Sequence, residues 1–365
     1  MNKLWKLGRF FAIGSLVAGS ATLTGGATVE EQLAEINKLP AAERQRRLEE
    51  GAKKEGSVLV YSNQGLDTIR AYTEGFRKRY PSVKIDASRL QGNKGLETIL
   101  LEHRVGKLQA DVVGVDFDFI RELLEGGVLA RYESPEKKNY PAAFWDKEGR
   151  WYANDYTLVV IGYNSSLVKP GEAPKSYSDL LNPKWKNDVS IDIEPEQAVF
   201  AWLFEWGEEK TAEYLKALMR NGTVPRRGHT LQVQLLCSGE TKIAVEVYPA
   251  RVAQMKHEKG CPIDMVFPNP TPGSIGSHAG IAKSAKHPYA AALYLDYILS
   301  AEGAAVLAKA GSLPARKGAK AAWEEVSGLE EKGIRMLLLG HDKVPQVKEK
   351  GYKLMEEIIV RKQIR

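Results

Sequence analysis

The chain has 365 residues, which suggests two domains at about 150 residues each. Hydrophobic residues make up 43% and charged residues 27% of it, as in globular proteins and unlike disordered, collagen-like or disulfide-rich chains. Three of the cations behind its formal charge of +6 are Lys3, Lys6 and Arg9, in a segment that looks removable, and the other basic residues are interleaved with acidic ones. This pattern argues against a nucleic-acid partner.

Residues 1–27 have the layout of a secretory signal peptide. The three cations precede an apolar run from 10 to 18, which small residues follow. This run is shorter than the roughly 20 residues that a membrane-spanning helix requires. No cysteine follows it to carry a lipid. We therefore expect a cleaved signal peptide and a periplasmic protein without a lipid anchor.

Residues 28–56 predict a surface helical leader, in which Pro40 separates two helical patterns. Short apolar runs then alternate with helical patterns, which favours parallel sheets covered by helices on both faces. The predicted strands of the first region are 58–61, 83–87 and 111–115, and a strand at 158–163 is long enough to cross into a second region of the same kind. Residues 274–282 predict a returning strand, and the tail after 319 contains one amphipathic helix.

The two cysteines invite a disulfide in an oxidising compartment. Cys237 and Cys261 each end a predicted helix shortly before a predicted strand, at 243–247 and 263–267. If those strands are parallel neighbours, both thiols lie at the same end of the sheet and a bridge is plausible. Two separate buried thiols are the alternative that the spacing leaves open.

The sequence contains none of the common catalytic or cofactor signatures: no phosphate-binding loop, dinucleotide fingerprint, zinc-protease motif or nucleophile elbow. No two of its six histidines lie within one helical turn of each other. We therefore expect neither a cofactor nor an enzyme.

Polar loops at the carboxyl ends of parallel strands are where open α/β sheets hold their ligands. In the first region these are Ser62, Asn63 and Gln64 after the first strand, and Asn93 after the second. Both loops precede helix N-termini, which favour anions. Turn formation alone explains either loop equally well.

In the second region, Arg226 and Arg227 lead into a helix that opens near Thr230, and guanidinium groups bind carboxylates and phosphates in bidentate fashion. A solvated basic turn is the alternative. Glu246 and Tyr248 share one face of a strand, with Arg251 one turn later. We expect these three residues to face a cleft, although a core tyrosine beside a solvated arginine fits the same pattern.

Several ordered segments resemble the bacterial extracellular solute-binding proteins of ABC importers, within the ferric-ion-binding branch of the type 2 periplasmic binding fold. The matching segments are 55–62, 177–186, 238–240, 287–291 and 299–303. The resemblance implies two α/β lobes, each a mainly parallel sheet with helices on both faces, joined by two crossing strands. On this basis 57–155 and 272–365 form lobe 1 and 156–271 form lobe 2. It also implies a ligand between the lobes, an inner-membrane ABC permease as partner and, we expect, a monomer.

One position departs from the ferric-binding pattern. Relatives in that branch have two adjacent tyrosines where this chain has Val247 and Tyr248, so Tyr248 is the one phenol left here as a metal ligand. A hard trivalent cation favours several anionic oxygens. We therefore expect a small anionic solute or anion-chelated ferric iron, captured by hinge closure. The alternative is an exported two-lobed enzyme acting on a small anionic substrate, with Glu246 or His229 as acid or base.

Overall fold

The computed structural model describes residues 27–364, so the predicted signal peptide lies outside the described residues except for Ala27. The helices are α1 (Val29–Asn37), α2 (Ala41–Glu55), α3 (Leu66–Arg79), α4 (Gly92–Arg104), α5 (Ile120–Glu125), α6 (Glu196–Trp206), α7 (Glu208–Arg220), α8 (His229–Ser238), α9 (Pro249–Lys259), α10 (Pro288–Leu299), α11 (Ala301–Lys309) and α12 (Lys348–Leu354). A π-helical turn, Met355–Val360, continues α12.

The strands form three sheets. They are β1 (Ser57–Ser62), β2 (Lys84–Arg89), β3 (Val112–Val115), β4 (Tyr152–Ala153), β5 (Asp155–Leu158), β6 (Val160–Asn164), β7 (Val189–Asp192), β8 (Val224–Arg226), β9 (Ile243–Val247), β10 (Ile263–Val266), β11 (Thr271–Ile275), β12 (His278–Ile281), β13 (Leu313–Pro314) and β14 (Met336–Leu339).

The two lobes have similar mixed sheets, which confirms the α/β fold. In lobe 1 the strand order is β2-β1-β3-β12-β4, with β1 parallel to β2 and β3 and with β12 antiparallel to its neighbours. In lobe 2 the order is β10-β6-β9-β7-β8, with β7 parallel to β8 and β9. The antiparallel strands β12 and β6 enter their sheets from the connection between the lobes, so each sheet is less uniformly parallel than the sequence indicates.

The disulfide predicted between Cys237 and Cys261 is confirmed, with 5.0 Å between the Cα atoms. The strands that follow the two cysteines, β9 and β10, run in the same direction, as the prediction assumed. They are not adjacent, however, because β6 lies between them and pairs antiparallel with both.

A third sheet, β13-β5-β11-β14, joins the lobes. Its strands β5 and β11 are antiparallel and are the two crossing segments. The returning strand predicted at 274–282 is broken between β11 and β12, where the backbone turns into the lobe 1 sheet. The backbone passes so close to Asp155 at Gly276 that a Cβ there would collide with it. The strand predicted at 158–163 is likewise divided into β5 and β6.

The C-terminal tail does not follow the predicted division, which grouped 272–365 with lobe 1. Val347, Leu354, Met355 and Ile358 are buried in the same hydrophobic cluster as Phe200 of lobe 2. The sequence indicated the apolar side of this helix but not the surface that buries it. Strand β14, which was not predicted, leads the tail through the connecting sheet to lobe 2.

The helical leader is docked on lobe 1 rather than lying on its surface. Leu33 and Leu48 are fully buried, and the carboxylate of Glu55 accepts hydrogen bonds from the first backbone amides of α10. Arg44 of α2 pairs with Asp296 of α10 at 3.0 Å, and both side chains are buried. The leader is therefore part of the lobe 1 core.

Within residues 27–364, no single helix has the length and apolar character needed to cross a membrane, although α10 and α11 taken together, bent by 65°, do meet that test.

Candidate functional site

A cleft of about 780 Å³ lies between the lobes, at the carboxyl ends of the parallel strands. Lobe 1, the connecting sheet and lobe 2 all contribute to its lining. Helices α3, α4, α6, α8 and α9 begin at or beside it, because each follows a strand whose carboxyl end points there. This is the position where open α/β sheets bind ligands.

The lobe 1 wall is built from polar groups that hold one another. The Nδ2 of Asn63 donates to Asp116 Oδ1 at 2.8 Å, and the backbone amide of Gly92 donates to Asp116 Oδ2 at 3.2 Å. Asn63 Oδ1 also accepts a hydrogen bond from the Ser277 hydroxyl. The loops after β1, β2 and β3 and the start of β12 are thereby fixed relative to each other.

The connecting sheet contributes Asp155, which is buried behind the cleft. Its Oδ1 accepts a hydrogen bond from the backbone amide of Ser277 at 3.0 Å. Burial raises the pKa of Asp155 to about 6. The carboxyl group therefore ties the two crossing segments together where they pass between the lobes.

The lobe 2 wall begins with Tyr248, whose ring stacks on the imidazole of His229 with centroids 4.3 Å apart and planes 2° apart. Burial raises the pKa of the Tyr248 phenol. Arg251 follows in α9 and donates a hydrogen bond to Gln254. Glu196 and Gln197, at the start of α6, complete this wall.

Of the predicted site residues, Asn63, Gln64, Asn93, Tyr248 and Arg251 line the cleft. Ser62 does not, because its hydroxyl accepts from the backbone amide of Gln64 within the turn. Glu246 does not either, since it is fully buried beneath the wall. Tyr156 of β5 also lines the cleft, whereas the nearby Trp151 and Tyr152 are core residues of lobe 1.

The expected cluster of guanidinium groups does not form at the cleft. Arg226 lies outside the lining and pairs with Glu240 at 3.4 Å, and Arg227 and Thr230 are exposed outside it. The cause is β8, which places Arg226 at a sheet edge, so that the following turn presents His229 to the cleft instead. Arg251 is the arginine that remains among the residues described as lining it.

The sequence model of the family described as "Bacterial extracellular solute-binding protein" matches residues 109–344, about two thirds of the chain. The chain belongs to this family. Residues 345–364 of this solute-binding protein, which include α12, lie beyond the match.

The relatives include an Fe(3+)-binding periplasmic protein of Serratia marcescens, 24% identical over 275 residues, which cover 71% of this chain and 78% of that protein. Among solved structures, iron-bound HitA of Pseudomonas aeruginosa superposes with a TM-score of 0.71 at 21% identity, covering 83% of this chain and 99% of that one. AfuA of Actinobacillus pleuropneumoniae, with fructose-6-phosphate bound, has a TM-score of 0.67 at 22% identity, covering 85% and 99%. These structures share the two-lobed fold, which confirms the predicted architecture.

Several cleft residues of this solute-binding protein were not predicted. Asp116 directly follows β3, just as Asn63 closely follows β1, so the strand-end rule could have found it. Glu196 at the start of α6 carries the same signal. Tyr352 carries none, because it reaches the cleft only through the packing of the tail on lobe 2.

Proposed function

We propose that this protein captures a small polar solute in the periplasm and delivers it, as a monomer, to an inner-membrane ABC permease. The observation that carries the proposal is the cleft of about 780 Å³, which is lined from both lobes and spanned by β5 and β11. A solute that contacts both walls binds the closed form more tightly than the open form. It therefore raises the population of the closed form, which is the form a permease can distinguish.

Arg251 supports an acidic group on that solute. Its guanidinium lines the cleft and forms no ion pair with a carboxylate anywhere in residues 27–364, and its Nε is buried without a hydrogen-bond partner. Leaving a buried donor without a partner costs about 1–3 kcal/mol, which a bound carboxylate, phosphate or phosphonate recovers. An anionic ligand group therefore remains the expectation for this part of the cleft. The expectation depends on Arg251 alone instead of on three arginines.

Ferric iron with a bound anion is the second candidate. Tyr156, Tyr248 and Tyr352 all line the cleft, so two phenols join the one that the sequence indicated. No group of three or more His, Cys, Asp and Glu side chains within residues 27–364 is arranged to hold a metal. Tyrosines would therefore have to supply much of the coordination, and iron binding would have to remove their protons against the effect of burial, which raises the pKa of each.

We propose binding without catalysis. Glu246, one of the two acid or base candidates, is fully buried and does not line the cleft. His229 does line it, but its Nε2 faces Glu246 at 3.9 Å, so the rival enzyme would depend on this one imidazole. Product formed from any ligand would support the enzyme, and recovery of the ligand unchanged would support capture.

The test is a thermal-shift screen of the mature protein, because a ligand that binds only the folded state raises the melting temperature. The panel contains ferric chloride with and without citrate or carbonate, phosphonates, polyamines and short carboxylates. Small-angle scattering then measures closure with each compound that stabilises the protein. We expect a one-to-one complex with a smaller radius of gyration. Binding without any change in that radius would contradict hinge capture, and a coloured complex that Tyr248→Phe abolishes would favour iron.

A further inference from the structure

Glu196 is a second titratable group on the lobe 2 wall that has no ion-pair partner in the described part of the chain. It lines the cleft and has no cationic side chain within ion-pair distance among residues 27–364. Arg251 on the same wall is likewise unpaired. The wall therefore offers the ligand one guanidinium and one carboxyl group that the protein does not satisfy itself.

A second carboxyl group lies directly behind this wall. Glu246 is fully buried, and its Oε1 accepts a hydrogen bond from the backbone amide of Gln197 at 3.1 Å, at the start of α6. Its Oε2 is buried without any partner. Only one of its two oxygens is thus accounted for by the helix that it caps. Gln197, the donor, is the neighbour of Glu196 in α6, and both residues line the cleft.

The histidine between these acids does not neutralise them. His229 Nδ1 lies 3.5 Å from Asp192 Oδ2, and its Nε2 lies 3.9 Å from Glu246 Oε1 without a hydrogen-bond partner. Burial lowers the pKa of His229 and so keeps the ring neutral. His229 therefore supplies no positive charge to the carboxyl groups beside it.

Burial has the opposite effect on the carboxyl groups. It raises the pKa of Glu196 to about 8 and raises that of Glu246 well above its ordinary range. Without ligand, Glu196 therefore holds its proton at neutral pH. The titratable groups that act on it or respond to it are Glu194, His229, Glu246, Tyr248 and Tyr352.

We propose that the captured solute carries a protonated amine, which binds to Glu196 with Glu246 behind it, while Arg251 binds an acidic group of the same molecule. The inference rests on the proposed solute capture and names its substrate class as a small amino acid or aminoalkyl phosphonate. On binding, Glu196 gives its proton to the solvent and its carboxylate accepts hydrogen bonds from the ammonium group.

The pH dependence of affinity distinguishes an ammonium ligand from a purely anionic one. An ammonium ligand requires the ionised carboxylate, so its affinity rises with pH, by up to about tenfold per unit below the Glu196 pKa. A purely anionic ligand is favoured by the neutral carboxyl group, which can donate a hydrogen bond to it, so its affinity falls as pH rises.

The experiment is calorimetric titration of the mature protein with 3-aminopropylphosphonate and 4-aminobutyrate, alongside amine-free propylphosphonate and butyrate. Two buffers of different ionisation enthalpy measure the protons released. We expect binding of an amine compound about tenfold or more tighter than its amine-free counterpart, with about one proton released at pH 7. Comparison of the two phosphonates with the two carboxylates shows which acidic group Arg251 binds.

The matched variants are Glu196→Gln and Glu194→Gln. Glu196→Gln should abolish the proton release and the preference for the amine, whereas Glu194→Gln, an exposed residue two positions earlier, should change neither. The buffer comparison on the unaltered protein stands even if Glu196→Gln fails to fold.

Three outcomes overturn the inference: proton uptake, equal affinity for amine and amine-free compounds, or no binding of either amine at 10 mM between pH 6 and 9. If ferric citrate or an amine-free anion still binds and closes the lobes, solute capture stands and only the amine assignment fails. If no compound in either panel binds, both fail.

Discussion

The two walls of the cleft differ in how their charged groups are partnered. On the lobe 1 side, Asp116 accepts hydrogen bonds from Asn63 and Gly92, and Asp118 pairs with Lys348 at 3.0 Å. On the lobe 2 side, Glu196 and Arg251 face the cleft without a side chain of opposite charge in the described part of the chain. Asp116 and Asp118 are thus partnered within the protein, whereas Glu196 and Arg251 have no partner of opposite charge within residues 27–364.

This difference assigns different tasks to the lobes. The Asp116 network lies within lobe 1 and holds its geometry whatever enters the cleft, so it offers a fixed polar surface. Unpaired groups on a half-buried wall gain the most from a ligand, because their desolvation is otherwise uncompensated. Ligand selectivity should therefore depend on lobe 2, and the stability of the fold on the polar networks of lobe 1.

The largest effect is expected from breaking a lobe 1 network. Arg44→Ala removes the partner of Asp296, which also accepts hydrogen bonds from Tyr132 at 2.6 Å and Ser134 at 2.6 Å. A buried carboxylate without its cation should lower the free energy of unfolding by about 3–5 kcal/mol. Urea denaturation measures it. The control is Arg46→Ala in the same helix, whose ion pairs with Glu43 and Glu50 are exposed. Equal losses would contradict the internal pairing of lobe 1.

The second prediction concerns the contribution of Arg251 in lobe 2 to ligand affinity. Arg251→Ala should weaken binding of a solute with an acidic group by about 1.5–3 kcal/mol, because a charge-assisted hydrogen bond is lost. Arg227→Ala is the matched control, since Arg227 is exposed outside the cleft. Titration of both variants with the same ligand decides the point. An unchanged dissociation constant for Arg251→Ala would remove this residue from the site.

A buried base in lobe 1 provides a test by pH. Burial, with a smaller contribution from His341, lowers the pKa of His278 to about 3, against 6.5 for an ordinary histidine. As pH falls below 6.5, the unfolded chain takes up a proton that the folded chain refuses, so this group reduces stability progressively down to about pH 3. The loss should reach about 2 kcal/mol at pH 5.

His278→Phe should remove this part of the acid sensitivity, measured as the difference in unfolding free energy between pH 7 and pH 5. His103→Gln, at a partly exposed position of α4, should leave that difference unchanged. If all three proteins lose stability in parallel, His278 is not the group responsible.

The smallest effect tests the contact between the walls. Lys348 of α12, which packs on lobe 2, donates to the Asp118 carbonyl at 3.1 Å and lies 4.5 Å from the centre of the Phe119 ring in lobe 1. Lys348→Ala should favour the open form by about 0.5–1 kcal/mol, which scattering detects as a larger radius of gyration. Lys350→Ala, whose partner Glu208 is also in lobe 2, should have no such effect. The same radius in both variants would show that Lys348 does not hold the lobes together.

Local sequence patterns predicted strands and helices of the fold and half of the proposed site residues. Unbroken apolar runs followed by helical patterns predict β1 and β3 and their helices, because a buried parallel strand needs apolar residues on both faces. The strand-end rule then places Asn63, Gln64, Asn93 and Tyr248 at the cleft, because topology alone puts the carboxyl ends of parallel strands together. The Cys237 to Cys261 bridge was plausible from the sequence on the assumption of parallel neighbouring strands, and it forms although β6 lies between those strands.

Hydrophobic periodicity and strand-end loops are local properties, so the sequence by itself determined two α/β regions with polar loops at the strand ends. Its resemblance to the solute-binding proteins implied that these regions are two lobes around a ligand. Tertiary structure decided which charges meet the ligand. Arg226 and Arg227 lie beside His229 in the chain, yet only His229 lines the cleft, and Tyr352 reaches it from a tail assigned to the other lobe. The charge at a site depends on which side chains converge there from distant segments of the chain. Packing decides this convergence, and the identity of neighbouring residues in the sequence does not reveal it.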